Sequence, residues 1–318
     1  MLEKMNTFGA EKKPFIFIID YAIKKIVVIP FEEAENSRVY FDINGIKNYT
    51  EPGLSPKRIE MEKNPVSFDT YKKSFDIVQS HLELGDSYLV NLTFPTEIKI
   101  NMALKGIFYR SAARYKLFYK DLFTVFSPET FVKIRNGIIY SYPMKGTINA
   151  GIYAAEQILL NDEKEIAEHI TIVDLIRNDL NMVARNIRVT RFRYIEKIKT
   201  NYCNLLQVSS EICGELDRDY HKKIGDIICR LLPAGSITGA PKKSTINIIE
   251  KAEIYDRGFY TGIFGYFDGM NLDSAVMIRF IEKNKEKYIF KSGGGITIYS
   301  DPMAEYREMI DKVYAQIN

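Results

Sequence analysis

Apolar residues recur along the chain with two periods. Ile166, Ile170, Val173, Ile176 and Leu180 are spaced by three and four, which predicts one long helix over 162–184. Short apolar runs at 15–19 and 26–29 predict strands, and Asp69 is the predicted cap of a helix that ends at Gly85. A strand is expected at 87–93. Two hairpins follow, one pairing 117–119 with 122–126 around Lys120-Asp121, the other pairing 132–135 with 138–141 around Asn136-Gly137. Strands are predicted near 187–190 and 205–212, and helices near 220–231 and 241–253 bracket a glycine-containing loop. Hairpin strands at 263–267 and 274–281 come next, then a strand near 288–291, Gly293-Gly294-Gly295, and a last helix opening at Pro302. The first 70 residues read as strands with loose connections, including a stretch at 50–65 around Pro52-Gly53-Leu54-Ser55-Pro56. No internal repeat interrupts this order, and one large α/β domain is expected.

Composition narrows the class. The chain has 318 residues, 46% hydrophobic and 27% charged, which excludes a disordered or low-complexity protein. With 44 Lys+Arg against 41 Asp+Glu there is no basic excess to suggest nucleic acid as partner. Cys203, Cys213 and Cys229 form no CxxC pair, consistent with reduced thiols in an intracellular compartment. The apolar run from Phe15 to Ile19 is too short to span a bilayer, so the expectation is a cytoplasmic protein without membrane attachment.

Several common site signatures are missing. There is no GxxxxGK[ST], no GxGxxG after a strand and no HExxH, and His81, His169 and His221 lack metal-ligand spacing. Four other features carry potential chemistry, each with two open readings. Glu165 and Glu168, and likewise Glu305 and Glu308, share a helix face, either as a solvated edge or as ligands of a hard cation. The loop Pro233-Ala234-Gly235-Ser236-Ile237-Thr238-Gly239-Ala240-Pro241-Lys242 and the triple glycine either offer amides to an anion or make plain turns. Arg279, set among strand apolars, is either a structural ion-pair partner or a carboxylate grip. Glu129 and Lys145 lie at the far ends of the Asn136-Gly137 hairpin strands, where they form a surface salt bridge or an acid and an amine nucleophile in one cleft.

Taken in order, these segments resemble the chorismate-utilising enzymes. The resemblance rests on Gly85-Asp86-Ser87-Tyr88-Leu89-Val90-Asn91-Leu92-Thr93, Ser127-Pro128-Glu129, Pro143-Met144-Lys145-Gly146-Thr147 and the run from Ala167 to Leu180. The Gly-Ser-Ile-Thr-Gly-Ala-Pro-Lys loop and the segment from Gly293 to Glu308 complete it. It implies a layered α/β/β/α sandwich of two large, mostly antiparallel sheets with helices outside, the site lying in the cleft between the sheets. Residues 71–318 would form the catalytic region, and 1–70 a shortened N-terminal strand region of the same domain. Where anthranilate and isochorismate synthases of the family carry alanine, this chain has Lys145, as do the aminodeoxychorismate synthase large subunits.

The implied activity is conversion of chorismate and ammonia to 4-amino-4-deoxychorismate, on the way to p-aminobenzoate and folate, with Lys145 as covalent nucleophile and Glu129 as general acid. Ammonia would be used directly or supplied by a separate glutamine amidotransferase subunit. The resemblance further implies Mg²⁺ on Glu168 and Glu308, with Glu165 and Glu305 behind them. Lys312 with Gly293, Gly294 and Gly295 would hold one substrate carboxylate, Arg279 and Tyr266 the other. Gly146 and Thr147 would line the ring pocket, and Thr238 would contribute to substrate binding. Two departures stand out: Gln207 replaces the family histidine, and Phe280 follows Arg279 where threonine is usual. The short N-terminal region argues against a tryptophan pocket. Anthranilate or isochorismate synthesis, or a non-catalytic chorismate-binding subunit, are the competing expectations.

Overall fold

The computed structural model describes residues 1–53, 60–198 and 204–314. Leu54, Ser55 and Pro56 of the predicted loose stretch, and Cys203, lie outside them. Among the described residues two nine-stranded sheets face each other, and every strand pairing is antiparallel. The first sheet runs Met144–Asn149, Leu205–Glu215, Ile138–Ser141, Thr130–Arg135, Leu272–Val276, Ile263–Phe267, Phe15–Ile19, Ile26–Pro30, and Arg185–Ile198 also pairs with Leu205–Glu215. The second runs Gly239–Ala240, Leu89–Ile100, Lys287–Ile296, Phe280–Asn284, Phe123–Ser127, Tyr115–Tyr119, Val39–Ile43, Ile46–Lys47, and Met61–Asn64 also pairs with Leu89–Ile100.

The strand Phe15–Ile19 shows how sequence makes these layers. It is apolar at every position because both of its faces are covered. Phe15, Phe17 and Ile19 point into a core shared with the helices Glu163–Asn181 and Ile224–Leu231. Ile16 and Ile18 point the other way, toward Phe41, Leu117 and Val125 of the second sheet. The outer face of that second sheet is covered by Phe68–Glu83, Lys242–Ala252 and Pro302–Asp311, and by Leu104–Arg110 at one end. The result is the layered α/β/β/α sandwich. No helix among the described residues is long and apolar enough to cross a membrane.

Both hairpin turns form as the turn residues dictate, with Lys120, Asp121, Asn136 and Gly137 all at positive φ. Other expectations change. Ser67, not Asp69, caps its helix, accepting from the Thr70 amide. Residues 61–64 form an edge strand instead of a loose stretch, and the helix Leu2–Ala10 precedes the first strand. The expected strand 274–281 is broken: Val276 pairs with Ile263 in the first sheet, whereas Phe280 pairs with Val125 in the second. The chain crosses between sheets at Met277, Ile278 and Arg279, the last at φ 53°. The triple glycine is not a loop either. It belongs to the strand Lys287–Ile296, with Gly293, Gly294 and Gly295 opposite Thr93, Leu92 and Asn91.

Arg257 joins these parts from a fully buried position. It donates to both Glu253 carboxylate oxygens (2.8 and 2.6 Å), to Ile237 O, Thr261 Oγ1 and Asn91 O. Glu253 in turn accepts from the amide and hydroxyl of Thr93. Breaking one partner of such a pair strands the other charge in the interior. Arg257→Met or Glu253→Gln is expected to lower unfolding free energy by about 3–5 kcal/mol in urea denaturation. The double variant Arg257→Met/Glu253→Gln should lose less than the sum of the two single losses, and additive losses would contradict the pairing.

Candidate active site

A cavity of about 780 Å³ opens between the helix Glu163–Asn181, the end of the first sheet and the triple-glycine strand. Lys145, Glu129, Glu165, Glu168, Arg279, Gly146, Thr147, Glu305, Glu308, Lys312 and the three glycines all line it. Two predicted residues do not. Tyr266 lies on the face of its strand that alternation turns to the inter-sheet core, where its ring sits 5.4 Å from Phe31 and 5.9 Å from Phe41. The tyrosines on the cavity wall are Tyr142, Tyr260 and Tyr314, with Tyr260 in the turn before that strand. Thr238 is buried behind its loop and donates to Ala234 O (3.0 Å), and Ser236 presents the loop's hydroxyl to the cavity instead.

Lys145 reaches the cavity through local backbone geometry. The chain leaves the hairpin after Ser141, and the strand Met144–Asn149 pairs with Leu205–Glu215, so Lys145 and Glu129 are not cross-strand neighbours as expected. The ladder shifts between Lys145 and Thr147, and Gly146 occupies the shift at φ 72°. A side chain at Gly146 would be strained by that φ and would meet Leu159 Cδ1 at 2.9 Å and Glu165 Oε2 at 3.2 Å. Lys145 Nζ donates to Glu168 Oε2 at 2.9 Å, with both side chains largely shielded from solvent.

The opposite wall is backbone. A Cβ at Gly295 would lie 3.5 Å from Lys145 Nζ, and one at Gly294 would lie 3.4–3.6 Å from Glu305, Glu308 and Lys312. Those are ordinary contacts, and the tight ones are to the neighbouring strand, where a Cβ at Gly293 would meet Leu92 O at 2.2 Å and one at Gly295 would meet Leu89 Cδ1 at 2.9 Å. Lys312 pairs with Glu308 at 2.5 Å and donates to Gly293 O at 3.0 Å. Ser300 donates to Glu305 Oε1 at 2.8 Å. Arg279 lies over the Tyr314 ring, 4.9 Å from its centroid, and its Nη2 donates to the Tyr314 hydroxyl at 3.5 Å.

Burial pushes the Glu129 carboxyl above the ordinary carboxylate range, although the Ser236 hydrogen bond and the charges of Lys145, Arg279 and Lys312 pull it down. Ser236 Oγ lies 2.5 Å from Glu129 Oε1. His169, just beyond Glu168, is lowered to about 4 by burial first and then by the Arg193 and Lys145 charges, so it is neutral. Gln207 donates to Thr147 Oγ1 at 3.4 Å on the cavity wall.

The carboxylate oxygens of Glu168, Glu308, Glu165 and Glu305 are the donors a hard cation such as Mg²⁺ selects, and Mg²⁺ needs only one or two of them beside water and an anionic ligand. Among the described residues no three His, Cys, Asp or Glu side chains gather at one point. The donor chemistry fits a metal shared with a substrate, not a closed protein cage. Sequence reasoning missed Ser236, Tyr260 and Tyr314 as cavity residues. Ser236 sits inside a segment already singled out, whereas nothing in spacing marks the two tyrosines.

Comparison with known proteins agrees with the geometry. The family profile of chorismate binding enzymes matches residues 20–318. The chain is 51% identical to an uncharacterized PabA-like protein of Haemophilus influenzae, over 99% of this chain and 96% of that one. It is 33% identical to aminodeoxychorismate synthase component 1 of Bacillus subtilis over 79% of this chain, spanning 55% of that enzyme. A protein from Bacillus anthracis assigned as a 2,3-dihydroxybenzoate-specific isochorismate synthase shares the fold, with TM-score 0.71 at 19% identity over 98% of this chain and 87% of that one.

A carboxyl raised by burial makes stability depend on pH. The folded chain keeps a proton that the unfolded chain releases, so this contribution is intact below the ordinary carboxyl pKa and is lost as pH rises through the raised one. Glu129→Gln should therefore melt at a higher temperature than wild type at neutral pH. The difference should close below about pH 4. Equal melting temperatures across the whole range would contradict a proton-retaining Glu129.

Proposed function

The chain belongs to the chorismate binding enzymes, and from that premise we propose that it is the aminating member, forming 4-amino-4-deoxychorismate from chorismate and ammonia. The observation that carries this reading is a lysine amine inside the cavity that also holds Glu129, whose carboxyl burial raises above the ordinary carboxylate range. A carboxylate partner for that amine stands 2.9 Å away.

Attack requires the lone pair of Lys145 Nζ, and Glu168 Oε2 is in place to take the departing proton. The amine then bonds to C2 of the ring, the double bond shifts, and the C4 hydroxyl leaves as water with the Glu129 proton. Ammonia bonds to C4 in the second half, the double bond shifts back, and the lysine amine is released. The ammonia nitrogen gives up one proton to restore Glu129, and the proton on Glu168 returns to Lys145. Arg279 and Lys312 supply cations for the two substrate carboxylates, with Thr147 and Gly146 along the ring. Glu168 and Glu308 would hold Mg²⁺, with Glu165 and Glu305 behind, and the ion would neutralise one of those carboxylates. A glutamine amidotransferase subunit as ammonia donor, and a place in p-aminobenzoate and folate synthesis, belong to the same proposal.

Purified protein with Mg²⁺, chorismate and ammonium is expected to accumulate 4-amino-4-deoxychorismate, which an added lyase converts to p-aminobenzoate. Without ammonium, intact-mass analysis should find chorismate minus water on Lys145, absent in Lys145→Ala. Glu129→Gln should slow turnover by about 10²–10⁴-fold. Anthranilate or isochorismate as the product would overturn the proposal, and binding without turnover under any nitrogen source would make the chain a binding subunit.

A further inference from the structure

Ser210, fully buried in the strand Leu205–Glu215, connects three parts of the fold. Its amide donates to Pro143 O at 3.0 Å. Its hydroxyl oxygen accepts from the Arg193 amide at 2.9 Å and lies 2.7 Å from His169 Nε2. The Arg193 amide can only donate. A hydroxyl oxygen can accept twice, so either the Ser210 hydroxyl or the imidazole Nε2–H is the donor in this bond, according to the ring tautomer. These contacts close a ring. Lys145 bonds Glu168, His169 follows Glu168 in the helix, Ser210 bonds His169 and Pro143, and Pro143 lies two residues before Lys145.

A packing role alone accounts poorly for this imidazole. The other buried residues described in the helix Glu163–Asn181 are apolar: Ile172, Val173, Leu175, Ile176 and Leu180. His169 is 1% exposed, and its Nδ1 has no hydrogen-bond partner among the described residues. Burying an unsatisfied ring nitrogen is costly, and an aliphatic side chain would avoid it.

We propose that His169 and Ser210 are positioning residues for the lysine chemistry: their hydrogen bond clamps the Glu168 helix to the strand that pairs with the Lys145 segment, and so sets the amine–carboxylate separation. The inference rests on Lys145 acting as nucleophile. Misplacing reacting groups by about 1 Å costs on the order of 10²-fold.

The test measures three quantities on wild type, Ser210→Ala, His169→Leu and His169→Gln: the rate of Lys145 adduct formation at saturating chorismate, KM for chorismate, and the urea midpoint. Ser210→Ala and His169→Leu are expected to slow adduct formation tenfold or more with KM changed less than about threefold. Gln keeps an acceptor oxygen within reach of Ser210, and His169→Gln should recover most of the rate. Should Ser210→Ala lose its fold, the Leu and Gln pair at 169 decides alone. Lower urea midpoints with wild-type adduct rates would overturn the positioning role, as would equal rates for His169→Leu and His169→Gln. Wild type forming no Lys145 adduct and no aminated product would overturn the lysine chemistry itself, and this role with it.

Discussion

The site depends on a buried ion pair outside it. All five N–H groups of Arg257 have acceptors, and both Glu253 oxygens are occupied. A buried pair of this kind adds little net stability over an apolar substitute, because desolvating two charges offsets their attraction. Its effect is better described as fixing distances. One bond ends on Ile237 O, next to Ser236, and another on Asn91 O, opposite Gly295 in the ladder. Glu253 holds Thr93, opposite Gly293. The loop that meets Glu129 and the glycine strand that meets Lys145 are thus tied to one guanidinium.

Within the cavity, desolvation and Coulomb attraction oppose each other at Glu129. Three cations, Lys145, Arg279 and Lys312, favour its ionised form, as does Ser236, yet burial is the larger effect and the carboxyl is raised. Two of these cations have carboxylate partners of their own: Glu168 is 2.9 Å from Lys145, and Glu308 is 2.5 Å from Lys312. Attraction falls with distance, so paired ammoniums act weakly on a third carboxylate. The geometry in this way sorts identical side chains into ion-pair partners and one carboxyl raised by burial. A dianionic substrate entering beside Arg279 and Lys312 would find positive charge that the protein has only partly neutralised.

Much of this was legible before any coordinates, and the failures share a cause. The long helix with Glu165 and Glu168, the Asn136-Gly137 hairpin and the last helix with Glu305 and Glu308 follow from local periodicity and turn chemistry, and they form. Periodicity does not say which sheet a strand joins. Val276 and Phe280 look like one apolar run, yet they belong to different sheets, because Arg279 turns the chain between them at positive φ. Three glycines suggest a turn, but here glycine is required because a Cβ at Gly293 would meet Leu92 O at 2.2 Å. Tyr266 and Tyr260 differ by six positions in sequence, and only the strand's alternation and its starting point separate a core ring from a cavity ring. The buried Arg257 pair went unseen for a related reason: at i and i+4 it resembles any exposed helical salt bridge.

A lysine in a protein interior usually answers a structural need, so the case for Lys145 turns on its surroundings. Lys116 and Lys291 are also buried, and burial is the main cause of their lowered pKa values. Lys291 is held by Glu282 and the Arg257 carbonyl, and Lys116 packs against Tyr49 and Phe108. Neither lines the large cavity. Lys145 does, on a strand segment distorted by a ladder shift and a left-handed glycine, facing a wall stripped of side chains at Gly295. A structural ion pair needs no empty space in front of its amine. The cavity that Lys145 borders is space that a ligand approaching Nζ would use, and that is the physical ground for treating this lysine differently from the other two.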